Sequence, residues 1–140
     1  MTFRPIIRTQ QDLEDAWREL MGPLGFTRTS IWLMLIEADG TPIPQLSKIE
    51  APVAVPIAAE LDAFTDMVGG LVREFVPGGR VAFLRSRPGA PGLTVEDRAW
   101  AQALYAAGRA AGVPVEVVHR ACDSDLVPVP MDESVPDSAA

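Results

Sequence analysis

The sequence predicts an α/β domain three layers deep, with a mixed β-sheet between flanking helices. Three observations lead there. Short, wholly apolar runs at Ile31–Ile36 and Val81–Leu84 read as strands covered on both faces. Apolar residues around them recur at helical spacing. Gly-Pro, Pro-Gly-Gly and Gly-Val-Pro clusters at 22–23, 77–79 and 112–114 punctuate the boundaries. Helices that alternate with strands imply a sheet covered by helices.

The elements follow in order. Thr9 is placed as an N-cap, with Asp12 in the first turn, and Leu13, Trp17, Leu20 and Met21 share one helical face that ends at Gly22-Pro23. After the strand Ile31–Ile36, Asp39-Gly40 reads as a hairpin turn into a weaker strand, Ile43–Ile49, whose Pro44 suits an edge or a strand start. Residues 51–56 connect to a second helix, with Pro56 in its first turn. Leu61, Phe64, Val68, Leu71, Val72 and Phe75 form that helix's apolar stripe. Gly69-Gly70 interrupts it at roughly 1 kcal/mol per glycine relative to alanine, which close packing against the sheet would explain. A small oligomer interface at the glycine pair is the alternative.

Thr94 opens a third helix with a stripe of Ala99, Ala103, Ala107 and Ala111, while Trp100 and Leu104 supply bulk. A strand follows at Val115–His119, and Leu126–Val129 pairs beside it after the Asp123-Ser124-Asp125 turn. Trp17, Trp32 and Trp100 all fall in apolar patterns and are expected in the core. Residues 1–130 are expected to form one domain and 131–140 an acidic, flexible tail.

Composition narrows the function. The chain has 140 residues, is 48% hydrophobic, and carries 12 Lys+Arg against 19 Asp+Glu, a net charge of −7. That balance disfavours binding to phosphate backbones, so nucleic acid is not an expected partner. No apolar run is long enough to span a bilayer and no signal peptide is evident, so the expectation is a cytoplasmic protein with no membrane partner. Cys122 is the sole cysteine, which forbids an internal disulfide and fits a reducing compartment. Lys48 is the sole lysine; that skew toward arginine, with abundant Ala, Val, Gly and Pro, fits a GC-rich bacterial genome.

Several chemistries lack their residues. His119 is the only histidine, and one His with one Cys does not make an ordinary zinc site. There is no Gly-x-Ser-x-Gly elbow for a serine nucleophile and no glycine-rich phosphate loop. His119 and Cys122 read as a strand-end histidine and a small, partly buried cysteine.

The most informative segment is Arg85-Ser86-Arg87-Pro88-Gly89-Ala90-Pro91-Gly92-Leu93-Thr94-Val95-Glu96-Asp97. It runs from a strand end through a Gly/Pro loop to a capped helix, a common way to build a site in an α/β domain. Arg85 and Arg87 alternate along the strand end and so point to one face. With the positive end of the helix they make a candidate anion site comprising Arg85, Ser86, Arg87, Thr94 and Asp97. The competing expectation is that the arginines pair with Asp97, Glu96 or another acid, and that Thr94 and Asp97 form a capping box.

This segment resembles the metal-site loop of RadC-like proteins and the wider JAMM/MPN metallopeptidase group, which reads His-x-His-Pro, then a Gly/Pro stretch, then Ser-x-x-Asp. Arg85-Ser86-Arg87-Pro88 stands where His-x-His-Pro would be, and Thr94-Val95-Glu96-Asp97 where Ser-x-x-Asp would be. The order of the other elements, over roughly residues 12 to 129, is similar too. The resemblance implies a RadC/MPN, cytidine-deaminase-like fold. It also implies a degenerate member: guanidinium groups cannot ligate a cation, and Thr29 and Ser30 stand where the group's general-base glutamate would lie. The expectation is a metal-free pseudoenzyme without cofactor, peptidase or isopeptidase activity, acting as a binding or protein-interaction module with a protein partner or a second copy of itself, through an exposed edge strand. The alternative is a small enzyme or sensor that binds an anionic metabolite through Arg85 and Arg87. DNA binding, which the RadC label suggests, sits poorly with the acidic balance.

Overall fold

The computed structural model describes residues 6–50 and 58–131. The elements run α1 (Gln10–Met21), β1 (Ser30–Ile36), β2 (Pro42–Glu50), α2 (Ala58–Phe75), β3 (Arg80–Ser86), α3 (Val95–Ala111), β4 (Val118–Ala121) and β5 (Leu126–Val129). The strands form one mixed five-stranded sheet in the order β2-β1-β3-β4-β5. Strand β1 is antiparallel to both β2 and β3, β3 is parallel to β4, and β4 is antiparallel to β5. The expected connector at 51–56, with Pro56, and most of the expected tail lie outside the described residues. No helix among the described residues is long and apolar enough to cross a membrane.

Strand alternation divides the core in two. Ile31, Leu33 and Leu35 of β1, with Val81 and Phe83 of β3, pack against α2 and α3 through Val68, Val72, Trp100 and Leu104. Met34 and Ile36, with Ala82 and Leu84, face α1 through Leu13, Ala16 and Trp17. Each central strand is buried on both faces, which is why its sequence is apolar at nearly every position. Helix α1 starts as expected: the Thr9 hydroxyl accepts from the Asp12 amide at 3.0 Å, and the Asp12 carboxylate accepts from the Thr9 amide at 3.1 Å.

Strand β2 is an edge strand, as its Pro44 requires. The β1–β2 register shifts between Met34 and Ile36, opposite the stretch from Pro42 to Leu46 that contains Pro44. A residue without an N–H cannot continue the ladder, so the irregularity falls where the sequence lacks a donor.

Four expectations are corrected. Phe75 is 48% exposed, and Val76 takes the core position below Val72 instead; the chain leaves the helix at Phe75, and its ring turns away from the sheet. Gly69 packs against α3, where an added Cβ would lie 3.5 Å from the Ala111 Cβ, rather than against the sheet, and Gly70 has open space. The last parallel strand lies at Val118–Ala121, later than Val115–His119. Val115 makes only an isolated bridge to Val81, and the ladder resumes at Leu84 opposite His119, one residue out of step. Trp17 and Trp100 are buried, but Trp32 is only half-buried and lies at the rim of a cleft.

Two glycines should respond in opposite directions to alanine. A Cβ at Gly70 meets nothing within 4 Å, whereas a Cβ at Gly79 collides with the carbonyl oxygens of Ile36 and Val76. In urea denaturation Gly70→Ala is expected to raise stability by about 0.5–1 kcal/mol. Gly79→Ala should lower it by about 1–3 kcal/mol, because backbone atoms must move.

Candidate functional site

Residues 85, 87 and 120 share one face of the sheet by strand alternation, since Arg85 lies two residues beyond Phe83 and Arg120 two beyond Val118. The parallel register sets Arg85 directly beside Arg120. That face is covered by α3, whose first turn presents Asp97. The capping box that starts the helix positions this carboxylate: Thr94 Oγ1 accepts from the Asp97 amide at 3.0 Å, and Asp97 Oδ2 accepts from the Thr94 amide at 3.0 Å.

Three guanidinium groups converge on Asp97. Arg85 Nη1 donates to Oδ1. Arg87 Nε donates to Oδ1 at 2.9 Å, and its Nη2 to Oδ2 at 2.8 Å, in a bidentate fork. Arg120 Nε lies 3.7 Å from Oδ2, and its Nη1 donates to Asp125. The Asp97 side chain has no solvent contact, and those of Arg85 and Arg120 are 2% exposed. Burial alone would raise the Asp97 pKa; the Arg87 hydrogen bond, the Thr94 amide and the two cationic neighbours outweigh it and hold the carboxyl below its ordinary value. The same hydrogen bond raises Arg87, whereas burial lowers Arg85.

Arg87 also shapes the loop. Its Nη1 donates to the carbonyls of Pro88 at 3.1 Å and Ala90 at 3.2 Å, and its Nη2 to that of Gly92 at 2.9 Å. With the Asp97 fork, these contacts engage all five guanidinium N–H groups. The Gly/Pro loop is wrapped around a side chain rather than laid open for a ligand.

The five candidate residues therefore divide. Arg85, Arg87, Thr94 and Asp97 are brought together, turned on one another in a buried cluster. Ser86 faces the other side of the sheet. There its Oγ accepts from Trp32 Nε1 at 2.8 Å, and it lines a cleft of about 330 Å³ with Gly25, Phe26, Thr27, Arg28, Ser30, Trp32 and Lys48. Asp123 holds one wall in place, accepting from the Phe26 amide at 3.0 Å and the Gly89 amide at 2.9 Å.

Sequence reasoning missed Arg120, Asp125, Arg28 and Lys48. Only the β3–β4 register places Arg120 beside Arg85, and no spacing within one segment signals it. Lys48 stands opposite Trp32 across β1 and β2, with Nζ 5.3 Å from the ring centroid. Cys122 is buried, its Sγ 3.1 Å from Asp125 Oδ1. His119 is buried on the α1 side, Nδ1 3.1 Å from the Val117 carbonyl and Nε2 4.0 Å from Glu14 Oε1. Burial, reinforced by the Arg18 charge, lowers its pKa to about 4.

No protein-family model, curated protein or solved structure matches the chain. The chemistry of the site stands on its own geometry.

Two outcomes follow for stability. Asp97→Asn strands buried guanidinium charge and should cost about 3–5 kcal/mol in chemical denaturation, whereas Thr94→Ala, which removes only a cap, should cost about 1 kcal/mol. The pH dependence should show two windows. His119 takes a proton at 6.5 when unfolded and at about 4 when folded, so its contribution is complete above pH 6.5 and is lost as pH falls toward 4, about 3 kcal/mol in all. Asp97, depressed below 3.8, loses its contribution only at lower pH. Urea midpoints measured from pH 7 to 5, above the range where the carboxylates titrate, should fall in the wild type and stay nearly flat in His119→Gln.

Proposed function

We propose that the chain is a RadC/MPN-like domain that has given up metal chemistry and serves as a binding or protein-interaction module. The observation that carries this reading is the Asp97 cluster. The carboxylate that the resemblance makes a metal ligand has both oxygens occupied by guanidinium and amide donors. Arg85 and Arg87, which the resemblance sets at the two histidine positions, supply the guanidinium donors, so internal cations meet the charge a bound cation would. The helix–hairpin–helix–strand–helix–hairpin order and the Thr94–Asp97 start of α3 support the fold side of the proposal.

The alternative, an anionic metabolite held by Arg85 and Arg87, loses its donors to the same contacts, because Arg87 has none left to offer. For the interaction role, β2 is an edge strand that can accept another strand from a protein partner or a second copy of this chain.

Elemental analysis of protein purified without chelators is expected to find far less than one zinc per chain, and added zinc should leave the melting temperature unchanged. A stoichiometric zinc whose removal lowers the melting temperature would overturn the metal-free reading. Sedimentation over a wide concentration range, alone and with edge-strand peptides spanning residues 42–50, should show association; a chain that stays monomeric and ignores the peptide contradicts edge pairing.

A further inference from the structure

We propose that the cleft on the α1 side of the sheet binds a small anion, a carboxylate or phosphate group carried by a small molecule. It lies at the carboxyl end of β3, where open α/β sheets place their ligands. It is distinct from the Asp97 cluster, since neighbouring residues of one strand, Arg85 and Ser86, face opposite sides of the sheet.

The lining has the chemistry of anion recognition. Arg28 and Lys48 are cations in a chain of net charge −7, and Lys48 is its sole lysine. No acid lines the cleft among the described residues. Ser30, Thr27 and Ser86 add hydroxyls. The Trp32 indole N–H donates to Ser86 Oγ, so this hydroxyl is already an acceptor and its own proton is left to donate. Lys48 lines the cleft with its Nζ 5.3 Å from the centroid of the Trp32 ring, within cation–π range. Arg28 and Lys48 each also interact with other residues of the chain. The Gly25–Phe26 wall is tied down by Asp123, which gives the cleft a built shape. The cleft's role is independent of the metal-free reading, because an anion site would serve an enzyme as well as a binding module.

Trp32 makes the test direct. Trp17 and Trp100 are buried, so collisional quenching of tryptophan fluorescence reports on Trp32. At constant ionic strength, and with each ion normalised to its quenching of free N-acetyltryptophanamide, iodide should quench at least about twofold more strongly than caesium, because a cationic cleft concentrates anions. Trp32→Phe should remove the quenchable component. In the double variant Arg28→Gln, Lys48→Met the iodide preference should vanish, while quenching by neutral acrylamide keeps its wild-type level and shows that the fold is intact. If acrylamide quenching changes, the single variant Lys48→Met takes the double variant's place and should lose at least half the preference. Inorganic phosphate should protect Trp32 from iodide in the wild type and not in the variant. On the same normalised scale, iodide that quenches no better than caesium, a preference that survives loss of the charges, or phosphate that gives no protection would overturn the proposal.

Discussion

A carboxylate with no solvent contact, Asp97, ties the ends of β3 and β4 to the first turn of α3. Removing one carboxylate and three guanidinium groups from water costs several kcal/mol per ion, and the arrangement is stable only because the geometry repays that cost. The Arg87 fork, the Arg85 contact and the Thr94 amide meet both oxygens. Asp125 takes up Arg120. The long Gly/Pro connection would otherwise have no core of its own; here it closes around Arg87 through three backbone carbonyls. Fold and loop therefore depend on the same ions.

That dependence separates two roles within one short stretch of sequence. On the α3 face, charges neutralise one another and the site is closed. On the α1 face, Ser86 joins Trp32, Lys48 and Arg28 around open space. The Asp123 carboxylate links the sides, because it holds both the Gly89 turn of the loop and the Phe26 wall of the cleft. A rigid loop on one face thus supports a shaped cleft on the other.

Much of the fold was legible because its signals are local. The fully apolar runs that became β1 and β3, the Thr9 and Thr94 caps, and the proline-marked edge strand each follow from short-range chemistry. Strand β4 was harder. Charged Arg120 interrupts the apolar pattern, so the strand was expected to end at His119, yet the arginine is buried because Asp97 and Asp125 meet its charge. Phe75 failed for the opposite reason: helical periodicity says nothing about where the chain leaves the helix. Of the site, the loop, the cap and the pairing of Arg85 and Arg87 with Asp97 were within reach of the sequence. Arg120 and the Lys48–Trp32 pair were not, since both depend on cross-strand register between segments far apart in the chain.

Arg87 and Asp97 act as one unit that holds the loop to the helix. A double-mutant cycle with Arg87→Leu and Asp97→Asn in urea denaturation measures it most directly. A coupling of about 2–3 kcal/mol is expected, the double variant losing that much less stability than the sum of the two single losses. Additivity within about 0.5 kcal/mol would contradict it and reduce the cluster to charges that happen to lie close together.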